Sequence, residues 1–393
     1  MNSHATQETQ QTSVKSDSKT SFSFTLRNDE FCRVIRLLSG VVDHSQVIQV
    51  LGFLKISISP HKAIITASNS EIEMHTSISV VDSNLPNEQL QLTMPCKKLL
   101  DITKSLGQDA MLNFSHSGSW TQLRVGKTSF KLAALPAEDF PCMDSQTPKQ
   151  TLTLESKVLA HALKRTQFCM ASNDVRFFLN GLLFQVYGAC CTLVATDGHR
   201  MACHELNIPA SNQEAPVEYI LPRKTAHELS KYLQDNDEMV ELAFNEQRFS
   251  FKGNNLVLHS NLIDGKYPAF KNLIPKEYPH KALVDTQGLK SSLQKLMPLA
   301  NEKYHGASFS FTHDIITITT RNLYHEEAKD EVPTKLEGEP ISVGFNINYV
   351  LDILNVIQTP TIQICMVDPK RSVAIEEITE SPESTFIVMP LDL

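Results

Sequence analysis

Much of the chain alternates apolar and polar side chains over short runs. Ser21-Phe22-Ser23-Phe24-Thr25-Leu26, Lys55-Ile56-Ser57-Ile58-Ser59 and Ile316-Thr317-Ile318-Thr319 each place an apolar or β-branched residue at every second position. That period of two is the spacing of half-buried antiparallel strands. The first run stops at Arg27-Asn28-Asp29, where a polar stretch hands over to a helix. Helical patterns interrupt the strands at 29–42, 96–106, 155–172, 222–233, 286–300 and 347–357. Strands that outnumber helices, with the helices set among them in pairs, predict an α+β fold built on antiparallel sheets.

The pattern repeats on a long period. Met94-Pro95-Cys96-Lys97-Lys98-Leu99-Leu100-Asp101-Ile102 reappears 127 residues on as Leu221-Pro222-Arg223-Lys224-Thr225-Ala226-His227-Glu228-Leu229. It returns 124 residues further as Phe345-Asn346-Ile347-Asn348-Tyr349-Val350-Leu351-Asp352-Ile353. Each copy opens on an apolar residue and carries an acid at its eighth position. Phe140-Pro141 answers to Tyr267-Pro268 at 127, and Ala67-Ser68-Asn69 to Ala195-Thr196-Asp197 at 128. A period of 20 to 50 residues would mean a solenoid, whereas one of this length is the size of a domain. Three tandem like domains follow, over 21–145, 146–275 and 276–393. Each is long enough to bury its own core.

Composition adds little except at the N-terminus. Hydrophobic content is 41% and charged content 20%, ordinary for a soluble globular protein, and no apolar run reaches the length of a membrane span. Residues 1–20 are rich in Ser, Thr and Gln, lack the apolar core of a secretory signal, and read as a disordered tail. The eight cysteines form no CxxC pair and no zinc-like grouping, which fits reduced thiols in the cytoplasm.

Charge is distributed unevenly. The net charge of −8 argues at first against nucleic acid. Yet the six helical segments hold thirteen Lys and Arg against six acids, leaving 23 bases and 38 acids elsewhere. Basic helices on an acidic chain can hold DNA on one surface and repel it from the others. The competing explanation is that Lys and Arg are good helix formers on solvated faces, and the last helical segment carries no base at all.

No phosphate-binding glycine loop, dinucleotide fingerprint, nucleophile elbow or HExxH motif is present. The densest chemistry is Asp197-Gly198-His199-Arg200-Met201-Ala202-Cys203-His204-Glu205. A metal-dependent hydrolase centred on Asp197, His199 and His204 can be drawn there. However, histidines five apart point to opposite faces of a strand and diverge by about 140° on a helix. The Asp-Gly step reads as a tight turn.

That turn also carries a resemblance. Leu193-Val194-Ala195-Thr196-Asp197-Gly198-His199-Arg200-Met201-Ala202 resembles the signature of the bacterial DNA polymerase III beta subunit family, the replicative sliding clamps. So do Asp174-Val175-Arg176-Phe177-Phe178-Leu179-Asn180-Gly181-Leu182-Leu183-Phe184, Leu135-Pro136-Ala137-Glu138-Asp139-Phe140-Pro141 and Asn301-Glu302-Lys303-Tyr304. Gly344 to Asp352 and the end, Phe386 to Leu393, match as well. The similarity runs from about Phe22 to the C-terminus.

The resemblance implies the DNA-clamp fold: three like domains per chain, two chains joined head-to-tail in a ring, helices lining the hole and antiparallel sheets outside. It implies a non-catalytic processivity factor that needs no cofactor or resident metal, slides on duplex DNA without reading sequence, and tethers the replicative polymerase. The clamp loader and repair proteins would also bind through short peptide motifs. Arg33, Lys104, Lys164, Arg176, Arg223 and Lys224 are the DNA-facing residues this suggests. The peptide pocket, between the second and third domains, would contain Leu179, Thr196, Gly198, His199, Arg200 and Met201. Pro268, Leu273, Tyr304, Asn346, Tyr349 and Ser372 would join it, with Ile387, Val388, Met389, Pro390, Leu391 and Leu393 from the chain end. Such an apolar slot with a few orienting polar groups suits short peptides, and methionines suit several partners; plain core packing is the other reading of its aliphatics. Ring closure would set Lys127, Phe130, Lys131 and Leu132 against Pro298, Leu299, Glu326 and Glu327.

The sequence departs from the family in three places. A basic residue expected after the first helix is replaced by Ser45, a base at the pocket margin by Asn272, and a base before the last leucine by Asp392. The last two make the pocket rim more acidic and should alter partner preference. A divergent paralogue serving as a peptide-binding scaffold outside the main replisome is the alternative within the same family.

Overall fold

In the computed structural model, residues 22–42, 48–85, 89–144, 146–210, 215–233, 238–380 and 383–392 are described. The predicted tail (1–20), Ser45 and Leu393 lie outside them. Among the described residues are six α-helices: α1 Asn28–Leu38, α2 Cys96–Ser105, α3 Ser156–Thr166, α4 Arg223–Leu233, α5 Thr286–Leu296 and α6 Ile347–Val356. Apart from 3₁₀ turns and the two-residue strand Asp82–Ser83, one order of elements occurs three times. A strand and a helix are followed by four strands, a second helix and three more strands. That order makes three tandem like domains of antiparallel sheet with two helices in each.

Local chemistry explains the element ends. Phe22–Arg27 buries Phe24 and Leu26 on one face and pairs with Met111–Ser117. Asn28 then turns inward, and its side-chain amide donates to the Thr103 and Gly107 carbonyls, fixing α1 to the end of α2. Helix α1 buries Phe31, Val34, Ile35 and Leu38, the stripe of one helical face. It stops at Leu38, short of the predicted residue 42, because Ser39-Gly40 opens a turn; Val41 and Val42 remain buried outside the helix. Helix α3 ends at Thr166 and α5 at Leu296, each passing into a single 3₁₀ turn where a longer helix was predicted. In the second case Pro298 has no N–H to continue the ladder.

The chain divides into two compact units, one holding residues up to Asn69 with His75–Pro141, the other Ser70–Met74 with everything from Cys142 onward. In the first, α1 packs beside α2, and a five-stranded sheet ends at Thr128–Ala133, which among the described strands pairs only with Trp120–Val125. In the second, α3 packs beside α4 and α5 beside α6. This unit carries two copies of the repeated pattern, and a twelve-stranded sheet makes them continuous. The junction is the pairing of Arg200–Asn207 with the C-terminal strand Ser384–Val388, in the register Arg200 to Val388 and Met201 to Ile387. Strand-to-strand hydrogen bonds therefore join the second and third of the repeated units.

Candidate peptide-binding site

The junction strand positions the site. Just ahead of it, Asp197-Gly198-His199-Arg200 forms the tight turn the Asp-Gly step predicted. The Asp197 carboxylate accepts the N–H groups of His199 and Arg200, and the Thr196 hydroxyl accepts from Gly198. Gly198 sits at φ 88°, left-handed backbone that a side chain would strain. The turn thus presents His199 outward while its backbone is held from inside.

Arg200 is the best-anchored side chain of the turn. Its Nε donates to Asp197 at 3.0 Å, one terminal nitrogen to the Phe168 carbonyl at 2.9 Å, and the other to Asp352. The guanidinium lies over the Tyr349 ring, 4.6 Å from its centroid, and the His199 ring stacks on Tyr349 from 6.2 Å. One planar cation and two rings make a rigid polar wall, with the charge of Arg200 shared between two carboxylates. Asn346 braces the same wall by capping α6, its side chain accepting from the N–H groups of Asn348 and Tyr349.

The chain end closes the other side. Beyond Val388, the Met389 N–H donates to the His199 carbonyl at 2.8 Å and the Leu391 N–H to the Gly344 carbonyl at 2.8 Å. Leu273, exposed on the turn Phe270–Leu273, has its carbonyl held by the Ser372 hydroxyl at 2.8 Å. Pro268 is exposed beside Tyr267, whose buried hydroxyl accepts the Thr196 N–H. Tyr304 stands exposed on the turn from Asn301 to His305, and the His305 carbonyl accepts from Ile347 at the start of α6. Leu179, Met201 and Ile387 are buried together in one core cluster, and Val388 is buried too. The core reading of these aliphatics thus applies to the floor. The accessible apolar surface belongs to Leu273, Tyr304 and the partly exposed Met389, Pro390 and Leu391. Asp352, the Phe168 carbonyl and Tyr267 were not expected at the site. The repeat had marked two of them without assigning them to the site, Asp352 as the acid at its eighth position and Tyr267 as the counterpart of Phe140.

The expected DNA-facing residues fare unequally. Arg33, Lys104 and Lys164 are exposed on α1, α2 and α3. Arg223 donates to the Met170 and Ala171 carbonyls, and together with Lys224 it lines a groove of about 760 Å³. Arg176 does not lie on a helix of the chain. It chelates Asp174, whose carboxyl it holds down to about 2, and donates to the Asp197 carbonyl, so its head group borders the peptide turn. Arg165, counted among the basic helix residues, is buried against Glu377.

The expected contact edges are both present, each in its own unit. Thr128–Ala133 exposes its outer edge with Phe130 and Lys131, the latter 4.4 Å above the Trp120 ring; Lys127 is exposed beside it, and Leu132 is turned into the core. Glu327–Glu337 pairs with Ile315–Arg321 through Pro333, whereas its pairing with His280–Asp285 covers only Thr334 to Glu337. The stretch from Glu327 to Pro333 therefore keeps one side unpaired among the described strands. Pro298 is exposed and Leu299 partly so, and Glu326 is bonded to Asn322.

The hydrolase arrangement does not assemble. His199 stacks on Tyr349, whereas His204 is buried with its Nδ1 2.6 Å from the Ser384 hydroxyl. Among the described residues neither Asp197 nor His199 belongs to a group of three metal-capable side chains. Burial pushes the His204 imidazole down to about 4, helped by His161 and Arg165, the groups facing it from α3. Its neutral ring is favoured by folding, so the unfolded chain takes up more protons between about pH 6.5 and pH 4. That stability is full above pH 6.5 and fades as pH falls toward 4, by roughly 3 kcal/mol in total. Denaturant titration of the metal-free chain across that range should show the loss, and His204→Gln should shrink it. An unchanged pH dependence in the variant would assign it to other groups.

Residues 22–144, 153–269 and 271–392 match, in order, the N-terminal, central and C-terminal domains of the DNA polymerase III beta subunit. The chain is 31% identical to a beta sliding clamp of Pseudomonas putida over 370 residues, 94% of this chain and 100% of that protein. It is 29% identical to the beta sliding clamp of Escherichia coli over 370 residues, with the same shares covered. Its fold superposes on the Pseudomonas aeruginosa sliding clamp bound to griselimycin with a TM-score of 0.88 at 29% identity, covering 95% of this chain and 100% of that one. For the Bartonella birtlesii sliding clamp bound to griselimycin the TM-score is 0.90 at 25% identity, with 95% and 100% covered.

Proposed function

The chain belongs to the DNA polymerase III beta subunit family, the sliding clamps, and from that premise we propose how its parts divide the work of a processivity factor. It is a non-catalytic subunit that holds DNA polymerase on its template, so binding rather than bond-making is what its surfaces must supply. The peptide motifs of the polymerase, the clamp loader and repair proteins dock in the slot between the His199 turn, Leu273, the α6 start and the chain end. The observation that carries this reading is the docking of Ser384–Val388 on Arg200–Asn207, which brings Met389 to Leu391 against that turn. An anchored arginine, two rings and an apolar rim suit a short amphipathic peptide. Arg176 belongs to the rim of this slot.

Three domains, divided near residues 145 and 275, pair with those of a second copy in a cytoplasmic homodimeric ring. The edge at Phe130 meets the free side of the strand that begins at Glu327, with Lys127 and Lys131 opposite Glu326 and Glu327. Complementary edges on one chain close head-to-tail. Arg33, Lys104, Lys164, Arg223 and Lys224 face the phosphates of duplex DNA without reading bases. Because a closed ring is retained by topology, these contacts can be weak. No helix of the described residues is long and apolar enough to cross a membrane.

After loading by a clamp loader, the protein should stay on nicked circular DNA through a high-salt wash and leave once the circle is cut. Gel filtration of crosslink-free samples reads both states. Equal loss from circular and linear DNA would mean that no closed ring forms.

A further inference from the structure

Two histidines and a glutamate meet in a groove that the clamp's work leaves unused. The groove, about 410 Å³, runs between α3 and the strand Arg200–Asn207 and is lined by His161, His204 and Glu383 with Lys157, Glu205 and Asn207. His161 comes from α3, His204 from the junction strand, and Glu383 immediately precedes the C-terminal strand. The two imidazoles meet edge to face with centroids 5.3 Å apart. One ligand atom from each of the three residues lies within 4.8 Å of the other two.

His204 is the built part of this cluster. It is 1% exposed, and its Nδ1 is engaged by the Ser384 hydroxyl at 2.6 Å. Its Nε2 is directed toward the Glu383 carboxylate at 4.0 Å, too far for a hydrogen bond. Metal-binding histidines characteristically have the second ring nitrogen held in this way, which fixes the ring and aims the free lone pair. Ser384 Oγ also accepts from the Arg165 Nε at 2.6 Å, and the charge of Arg165 is neutralised by Glu377. The cluster therefore presents a carboxylate and two imidazoles, with Arg165 neutralised by Glu377 and the groove-lining Lys157 paired with Glu155 at 2.9 Å.

We propose that His161, His204 and Glu383 bind a divalent transition metal, zinc in preference, which ties α3 and the junction strand to the start of the C-terminal strand. Two imidazoles and a carboxylate suit zinc, and a water from the open groove completes four-coordination. Tetrahedral ligation at ordinary bond lengths brings ligand atoms to about 3.4 Å from one another. Glu383, whose side chain is 61% exposed, supplies the movement needed. The bound ion anchors the segment whose continuation, Met389 to Leu391, borders the peptide slot. The assignment itself stands on this cluster alone and does not depend on peptide binding.

The test is calorimetric titration of the untagged, metal-stripped full chain with zinc chloride, with cobalt(II) as the spectroscopic probe. One zinc per chain is expected, and cobalt should give the intense visible absorption of a four-coordinate site. His161→Gln should weaken zinc at least 100-fold and Glu383→Gln at least tenfold, both with unchanged circular dichroism, whereas His199→Ala should leave it intact. Failure of the folded chain to bind zinc saturably would overturn the proposal. So would a stoichiometric site that survives both His161→Gln and Glu383→Gln.

Discussion

A chain ending at Val388 should bind a labelled peptide of the Gln-Leu-x-Leu-Phe type at least about 100-fold more weakly than the intact chain, a loss of some 2.7 kcal/mol. Truncation removes Met389, Pro390 and Leu391, whose partly exposed apolar surface borders the slot. Each such side chain contributes on the order of 1–2 kcal/mol when a ligand covers it. It also removes the bonds from Met389 to the His199 carbonyl and from Leu391 to the Gly344 carbonyl, which hold the turn and the strand leading into α6 to the chain end. The fold should survive, because Phe386, Ile387 and Val388 stay buried and the strand keeps its register against Arg200–Asn207. Fluorescence anisotropy with circular dichroism as the fold control decides it. Full affinity in the truncated chain would move the peptide site elsewhere.

How much of this could be read in advance follows from the range of each interaction. The helices and the alternating strands were legible because period and local chemistry set them. The turn at Asp197-Gly198 was legible because one side chain and one glycine define it. The triplicate pattern survived divergence, since each copy needs the same apolar positions to bury its helices. Arg165 was not legible. Its sequence neighbours make it one more base on an amphipathic helix, and its partner Glu377 lies 212 residues away. A separation of 152 residues likewise hid the pairing of Arg200 with Asp352. Nor could sequence tell which aliphatics of the pocket motif are floor and which are rim. Leu179 and Met201 are as apolar as Leu273, and only packing separates them.

Arg165 itself should prove the costliest single side chain to remove, because it is an ion buried between elements far apart in sequence. It is 3% exposed and Glu377 11%. Besides that carboxylate, it donates to the Val356 carbonyl at the end of α6 and to Ser384, and its guanidinium lies 5.2 Å from the centre of the Phe386 ring. Arg165→Met leaves Glu377 buried without its counter-charge, a situation that costs about 3–5 kcal/mol. Removing both charges, as Arg165→Met with Glu377→Gln, should recover most of that loss, since the desolvation of two ions is then avoided as well. The unfolding of a chain with several domains is not a single transition, so hydrogen exchange of Phe386 to Val388 is the sharper readout. Those amides should lose protection in the single variant and regain it in the double. The peptide slot should report the same event: with the C-terminal strand loosened at its base, the segment from Met389 onward is less well positioned, and peptide affinity should fall about tenfold in the single variant alone. A single variant as protected as the natural chain would show that packing around Phe386, and not the buried ion pair, holds the C-terminal strand in place.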